Sequence, residues 1–537
     1  MRQNTFRRFG TMLDCSRGAV MTVETVKKWI DIISDLGYNT LMLYTEDTYE
    51  VEGQPYFGYL RGRYSVEELK SIDDYAFEHG VELIPCIQTL AHLEAIFRWS
   101  TYSDIRDCND ILLVDNAKTY ELIEAMFQAS KKAFRSHTLH IGMDEAFMLG
   151  RGKYQDIHGY KDRFDILLKH LKKVSEIAKK YDYELIMWGD MFFRLLGVDY
   201  DAANNKMPPA EITALIPDNV NLVYWDYYSK DYSNYDKQIK KHSAIKDNIW
   251  FAGGLWSWLG YAPHNKFSMS ATKAAFDACA NNGVRDVFLT MWGDDGAECS
   301  RFALLPSLYY AAEIAKGNCD FEIIKKGFYQ KFGIAFDDFM LLDLPDTPNQ
   351  DKDFSNPDTY MLFNDCFLGV YDSTVKDGVG SSYSVCANKL NKVCENEEYG
   401  YIFKTLKILC EILSIKYELG VKTRNAYRTE EKDTLRILLT NYDDVLALLD
   451  DFYEAFCLQW HKENKPFGFE IHDIRIGGLR QRIEHCRSRI SQFLDGIIES
   501  LPELDETLLD PCGKGTEYIK ESGNFKSWAR SAMIDEL

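Results

Sequence analysis

Two carboxylates stand side by side at Asp144-Glu145, closing the run His140-Ile141-Gly142-Met143-Asp144-Glu145. The residues leading to them, Thr138-Leu139-His140-Ile141-Gly142, are strand-like, so the pair falls where a strand gives way to a loop. Adjacent side chains on an extended segment point apart and can serve two ends of one reaction. A carboxylate also raises the cost of ionising its neighbour, which favours one charged and one protonated member. That division of labour is what cleaving a glycosidic bond requires.

The elements that must hold the pair recur on one plan. Met12-Leu13-Asp14-Cys15 closes a first apolar run, and Thr25 to Leu36 reads as a helix ended by Gly37. Asn39 to Tyr44 is a second strand. Ser65-Val66-Glu67-Glu68 is a capping box opening the next helix, with Gly80 past its last turn. Val81 to Ile87 and Thr138 to Gly142 are strands three and four. After a helix from Phe164 to Lys180, Tyr183 to Trp188 is the fifth, Val220 to Trp225 the sixth, Ile249 to Gly253 the seventh and Asp286 to Trp292 the eighth. Eight strand–helix units in about 300 residues predict a (β/α)8 TIM barrel over residues 1–320. A doubly wound open sheet is the alternative, but no Gly-x-Gly-x-x-Gly turn follows the first strand.

A barrel predicts that chemistry gathers just after each strand. Arg17, Glu46-Asp47, His92 and Asp144-Glu145 follow strands one to four. Trp188-Gly189-Asp190, Asp226-Tyr227-Tyr228, Trp256 with Trp258, and Trp292-Gly293-Asp294-Asp295 mark strands five to eight. Past Leu344 to Asp351, a polar, proline-bearing connector, the sequence reads as helices, giving a helical region over 321–537. Ile402, Phe403, Leu406, Leu409, Cys410, Leu413 and Tyr417 form one stripe; Leu479, Ile483, Cys486, Ile490, Phe493 and Ile497 form another.

Composition narrows the function classes. The net charge is −21 with no basic run, which argues against nucleic acid or an acidic membrane surface as partner. No stretch of about 18 apolar residues exists to span a bilayer. The start, Met1 to Phe6, lacks a signal-peptide core, and the 13 cysteines are scattered without a Cys-x-x-Cys pair. Both favour a cytoplasmic protein with reduced thiols. Aromatic residues reach 14 %, and Trp and Tyr faces suit the C–H faces of sugar rings.

His140-Ile141-Gly142-Met143-Asp144-Glu145 resembles the His-x-Gly-x-Asp-Glu signature of glycoside hydrolase family 20, the β-N-acetylhexosaminidases. Leu13-Asp14-Cys15-Ser16-Arg17 is similar to that family's strand-one segment, and Trp292-Gly293-Asp294 to its last-strand segment. Gln88-Thr89-Leu90-Ala91-His92 departs from the usual Pro-Gly-His ending and keeps the histidine. The resemblance implies exo cleavage of terminal β-linked GlcNAc or GalNAc from oligosaccharides or glycoconjugates, with retention and without a cofactor or metal. The substrate's own acetamido oxygen attacks the anomeric carbon and forms an oxazolinium-like intermediate. Asp144 stays ionised and accepts the acetamido N–H. Glu145, its pKa raised, gives its proton to the leaving oxygen and then takes one from water. Asp47 and His92 form a relay behind Glu145, and His140 supports the motif from below. Tyr227, or Tyr228, donates to the acetamido oxygen. Trp188, Trp256 and Trp292 wall the sugar pocket, and Arg17 and Asp294 hold the far hydroxyls.

Three rivals stay open at this stage. One is a metal site on His140, Asp144 and Glu145, although the His-x-His pair common in barrel metallohydrolases is absent. Another is a retaining glycosidase with Glu298 or Asp295 as nucleophile. The third is a sugar-binding barrel without turnover. GlcNAc versus GalNAc preference and oligomeric state are not legible in the residues.

Overall fold

Buried parallel strands need no polar face, so their sequences are short continuous apolar runs. The computed structural model describes residues 5–197, 206–348 and 355–510, with Gly513. Met1 to Asn4 of the amino-terminal stretch and Asn349 to Asp351 of the expected connector lie outside the described residues. Eight of the runs form strands β1 (Arg8–Asp14), β2 (Thr40–Tyr44), β3 (Glu82–Cys86), β4 (Thr138–His140), β5 (Glu184–Trp188), β6 (Val220–Trp225), β7 (Trp250–Gly254) and β8 (Asp286–Met291). They close into a parallel barrel in sequence order, with β1 paired to both β2 and β8. This is the predicted TIM barrel.

The helices between them follow the capping rules read in the sequence. Helix α1 (Val23–Leu36) starts at Thr22, whose side chain accepts the Thr25 N–H, and stops at Gly37 in the left-handed region. Its buried face includes Val26, Trp29, Ile30 and Ile33, and Trp29 Nε1 donates to Thr11 Oγ1 of β1 at 3.1 Å. Helix α2 (Val66–Glu78) carries the predicted capping box between Ser65 and Glu68. Trp29 is completely buried. Trp29→Ala is therefore expected to lower unfolding free energy by about 3–5 kcal/mol, measured as a shifted urea midpoint at unchanged slope.

One seam of the barrel is thin. β3 and β4 share a single paired position, Cys86 with His140. Beyond it the two segments part; Ile87 N–H still donates to His140 O (2.9 Å), and Thr89 donates to Ile141 O through its N–H (3.2 Å) and its hydroxyl (2.9 Å). The loop after β3 also holds an unpredicted hairpin, Arg106–Cys108 with Ile111–Leu112. Its residues show no sustained alternation, which is why the sequence did not reveal it.

The described residues form two compact units. The first comprises the described residues within 1–255, 268–292 and 308–320. The second comprises those within 256–267, 293–307 and 321–537. Besides the helical region from 321 on, the second unit takes in the segments 256–267 and 293–307 after β7 and β8. Within that unit, long helices α3 (Gly400–Arg428), α4 (Lys432–Glu463) and α5 (Phe469–Leu494) pack in succession. The first predicted stripe is buried throughout, as are Leu479, Ile483, Cys486 and Ile490. Ile497 is instead 71 % exposed, because α5 ends at Leu494 and Gly496 turns the chain in the left-handed region. The expected connector also differs: Met340–Asp346 forms a 3-10 helix, and Asp346 is buried with His264 Nε2 3.0 Å from its Oδ2.

Candidate active site

The motif after β4 is bent by its own backbone. Gly142, Met143 and Glu145 all have positive φ, at 67°, 69° and 51°. A Cβ on Gly142 would stand 1.9 Å from Gln88 Oε1, so glycine is required for both conformation and space. Glu46 after β2 (φ 47°) and His92 after β3 (φ 56°) share the left-handed region. Such residues cost about 1–3 kcal/mol each and collect where surrounding contacts over-determine them. The contacts here are specific. Asp110, in the turn of the hairpin, accepts the His92 N–H at 2.8 Å, and Asp190 Oδ2 accepts the Glu145 N–H at 3.2 Å.

Asp144 and Glu145 are held by different partners. Gln88 Nε2 donates to Asp144 Oδ1 at 2.8 Å and to Tyr44 Oη at 2.9 Å, while its Oε1 accepts the Met143 N–H at 3.2 Å. Both amide N–H groups and the carbonyl are engaged in one orientation, fixing Asp144 from the side of β3. His92 Nε2 stands 3.2 Å from Asp144 Oδ2, at ion-pair distance without hydrogen-bond alignment, and 3.8 Å from Glu145 Oε2. Arg194 Nη2 lies 3.4 Å from Glu145 Oε1. The Asp144 side chain is 14 % exposed and that of Glu145 38 %.

The charge states follow. Burial alone would raise the Asp144 pKa, but His92 and the Gln88 amide outweigh it and hold the carboxyl below its usual range. Burial disfavours a charged His92, yet the Asp144 carboxylate and that of Glu46 raise its pKa and keep the ring protonated at neutral pH. His140 is the opposite case. It is completely buried, its Nδ1 accepts the Gly142 N–H at 3.1 Å, and burial pushes its pKa down to about 3. It is a neutral ring supporting the motif.

The remaining expected residues divide. Arg17 Nη2 stands 3.3 Å from Glu46 Oε1, and Glu46 also accepts from Tyr44 Oη at 3.1 Å. A polar chain therefore runs from Asp144 through Gln88, Tyr44 and Glu46 to Arg17. Trp188 and Trp292 lie 6.1 Å apart between ring centroids, and Trp292 meets Tyr44 edge-on at 4.7 Å. Tyr227 is nearly buried and stacks on Trp225 at 5.2 Å, whereas Tyr228 is 39 % exposed. The charge of Asp144 is among the influences raising the Tyr227 pKa, after burial.

One expectation needs correction. Asp47 does not pair with His92; its Oδ1 takes Arg61 Nε at 2.9 Å, because Arg61 reaches back from the loop before α2. Trp256 is completely buried in the second unit, against Trp258 and Phe267 at 4.7 Å each. Asp294 is exposed on the second unit. The rival nucleophile Glu298 is buried there too, with Arg475 Nη1 3.2 Å from its Oε1. Reasoning from sequence places Glu46 and Asp190 at strand ends and Gln88 in the departing strand-three segment without giving them a role, and it does not single out Arg194 or Trp225.

Gly142→Ala is expected to displace the Gln88 amide and with it Asp144. A shift of about 1 Å at such a site costs on the order of 10²-fold in turnover. Steady-state kinetics beside a thermal melt separates this from unfolding.

The sequence matches the description Glycosyl hydrolase family 20, catalytic domain, over residues 6–245. It matches Glycoside Hydrolase 20C C-terminal domain over residues 337–521. The chain belongs to glycoside hydrolase family 20. Human hexosaminidase D is 26 % identical over 220 residues, 39 % of this chain and 43 % of that protein. Bovine hexosaminidase D is 22 % identical over 256 residues, 46 % of this chain and 69 % of that protein. The chain thus spans less than half the length of the human relative. Among solved structures, the family 20 exo-β-N-acetylglucosaminidase of Vibrio harveyi, in complex with N-acetylglucosamine, superposes with a TM-score of 0.47 at 13 % identity, over 64 % of this chain and 59 % of that one.

Proposed function

We propose that the chain is an exo-β-N-acetylhexosaminidase that removes terminal non-reducing β-linked GlcNAc or GalNAc from oligosaccharides or glycoconjugates. The observation that carries the reading is the separate anchoring of two consecutive carboxylates, Asp144 by Gln88 and His92, and Glu145 by Arg194. The family and the names of the relatives support it.

In this mechanism the acetamido oxygen forms a bond to the anomeric carbon as the bond to the leaving oxygen breaks. Asp144, held ionised, accepts the acetamido N–H and balances the positive charge of the ring that forms. Glu145 gives its proton to the leaving oxygen. It then takes one from the water that opens the intermediate, so the configuration is retained. Tyr227, the more sheltered of the two tyrosines, donates its O–H to the acetamido oxygen. Trp188, Trp225 and Trp292 flank the sugar, and Arg17 meets its far hydroxyls. Among the described residues no helix is long and apolar enough to cross a membrane. Action in a reducing compartment such as the cytoplasm is in keeping with cysteines scattered along the sequence without a Cys-x-x-Cys pair.

A thiazoline analogue of the cyclised acetamido group tests the reading. Competitive inhibition far tighter than by free N-acetylglucosamine is expected. Turnover of 2-acetamido glycosides unaffected by the thiazoline would instead favour a carboxylate nucleophile. Binding of N-acetylhexosamine without any turnover would leave a lectin-like protein.

A further inference from the structure

Asp190 and Arg194 take no part in the steps above, yet both touch Glu145. Asp190 follows β5 by two residues, with its side chain wholly buried. Its Oδ2 accepts the Glu145 N–H at 3.2 Å and Arg194 Nε at 2.9 Å, and its Oδ1 has no hydrogen-bond partner among the described residues. Arg194 sits one helical turn on, its Nη2 3.4 Å from Glu145 Oε1. Its guanidinium lies over the rings of Phe147 at 5.0 Å and Trp225 at 5.7 Å, which limits where the cation can move.

We infer that Asp190 and Arg194 are a positioning pair that holds the backbone of Glu145 in place and sets how tightly its side chain keeps a proton. The inference rests on the proposed role of Glu145 in proton transfer. Asp190 anchors the N–H of a residue whose φ of 51° would otherwise relax. Arg194 pulls Glu145 toward its carboxylate form, and an ionised Asp190 cancels much of that pull. The acid keeps its proton for the first step while the cation is masked, and the cation steadies the carboxylate that the second step needs.

Other charged and titratable groups face this pair. His92 Nε2 is 3.8 Å from Glu145 Oε2. Burial pushes the Asp190 pKa up to about 7, with the charge of Asp144 adding to it and Arg194 opposing it, so Asp190 masks the cation above that pH, on the alkaline side where the limb is read. His242, on the helix Tyr232–Ser243, lies beside Gly189. It is buried, and burial lowers its pKa to about 4, so it brings no charge at neutral pH. His140 is likewise neutral.

The test is the pH profile of kcat/KM on a phenyl 2-acetamido-2-deoxy-β-glycoside, GlcNAc or GalNAc, whose poor leaving group needs the acid. Activity falls as pH rises through the Glu145 pKa. Arg194→Gln removes the cation, so that alkaline limb should move up by about one pH unit. Asp190→Asn leaves the cation unmasked, so the limb should move down by about one unit. A residue that only supports the fold would lower kcat and the melting temperature without moving the limb in opposite directions. Limbs that stay put, or shift the same way in folded variants, overturn the inference while leaving the proposed function standing. If Asp190→Asn does not fold, the direction of the Arg194→Gln shift decides alone. A wild-type chain inactive on both glycosides overturns the proposed function, and the inference with it.

Discussion

Glu145→Gln should lose about 10²–10⁴-fold in kcat/KM on an N-acetylhexosaminyl disaccharide, the range that a positioned proton donor contributes. The loss should shrink on a 4-nitrophenyl glycoside, because nitrophenolate leaves without a proton. This dependence on the leaving group separates lost proton transfer from a damaged fold, which would lower both rates alike. The sign of the pH effect is fixed as well. The first step needs Glu145 protonated, so the group lost in the variant governs the alkaline limb of the wild-type profile. A uniform loss on both substrates, with that limb intact, would remove Glu145 from the role of acid.

Asp144→Asn should cost a comparable factor on any substrate bearing the acetamido group. The carboxylate is needed to orient the N–H and to balance the charge that develops, and its removal leaves His92 and the Gln88 amide facing a neutral group. Since Asp144 is held below the usual carboxylate range, wild-type activity should persist to low pH before this residue takes up a proton. The variant also reports on His92. In the wild type the Asp144 carboxylate keeps that ring protonated at neutral pH. Without it, burial prevails, and the ring should titrate at or below its ordinary value of 6.5, as read by NMR of the imidazole nitrogens. Wild-type turnover by Asp144→Asn would rule out substrate assistance.

The strands and the carboxylate pair were legible because each depends on local pattern. Val220 to Trp225 is the sixth strand residue for residue, and the other seven differ from the reading mainly at their ends. What was not legible depends on where side chains turn. Nothing in the order Glu46-Asp47 says that Glu46 faces Arg17 while Asp47 turns to Arg61; that choice is made by the loop before α2. Trp225 and Trp256 both follow strand-like runs, but one stacks on Tyr227 and the other is enclosed by Trp258 and Phe267. The hairpin whose Asp110 holds His92 is too short to show a period. Gln88 was visible as a departure from the family pattern, yet only the geometry reveals that its amide is spent on Asp144, Tyr44 and the Met143 N–H.

If the sugar supplies its own nucleophile, the 2-acetamido group is indispensable. Hydrolysis of paired 4-nitrophenyl β-glycosides, identical except for a 2-acetamido or a 2-hydroxyl group, addresses this directly. The account predicts turnover of the acetamido member and almost none of the hydroxyl member, whatever the concentration. Equal rates on the two would contradict it.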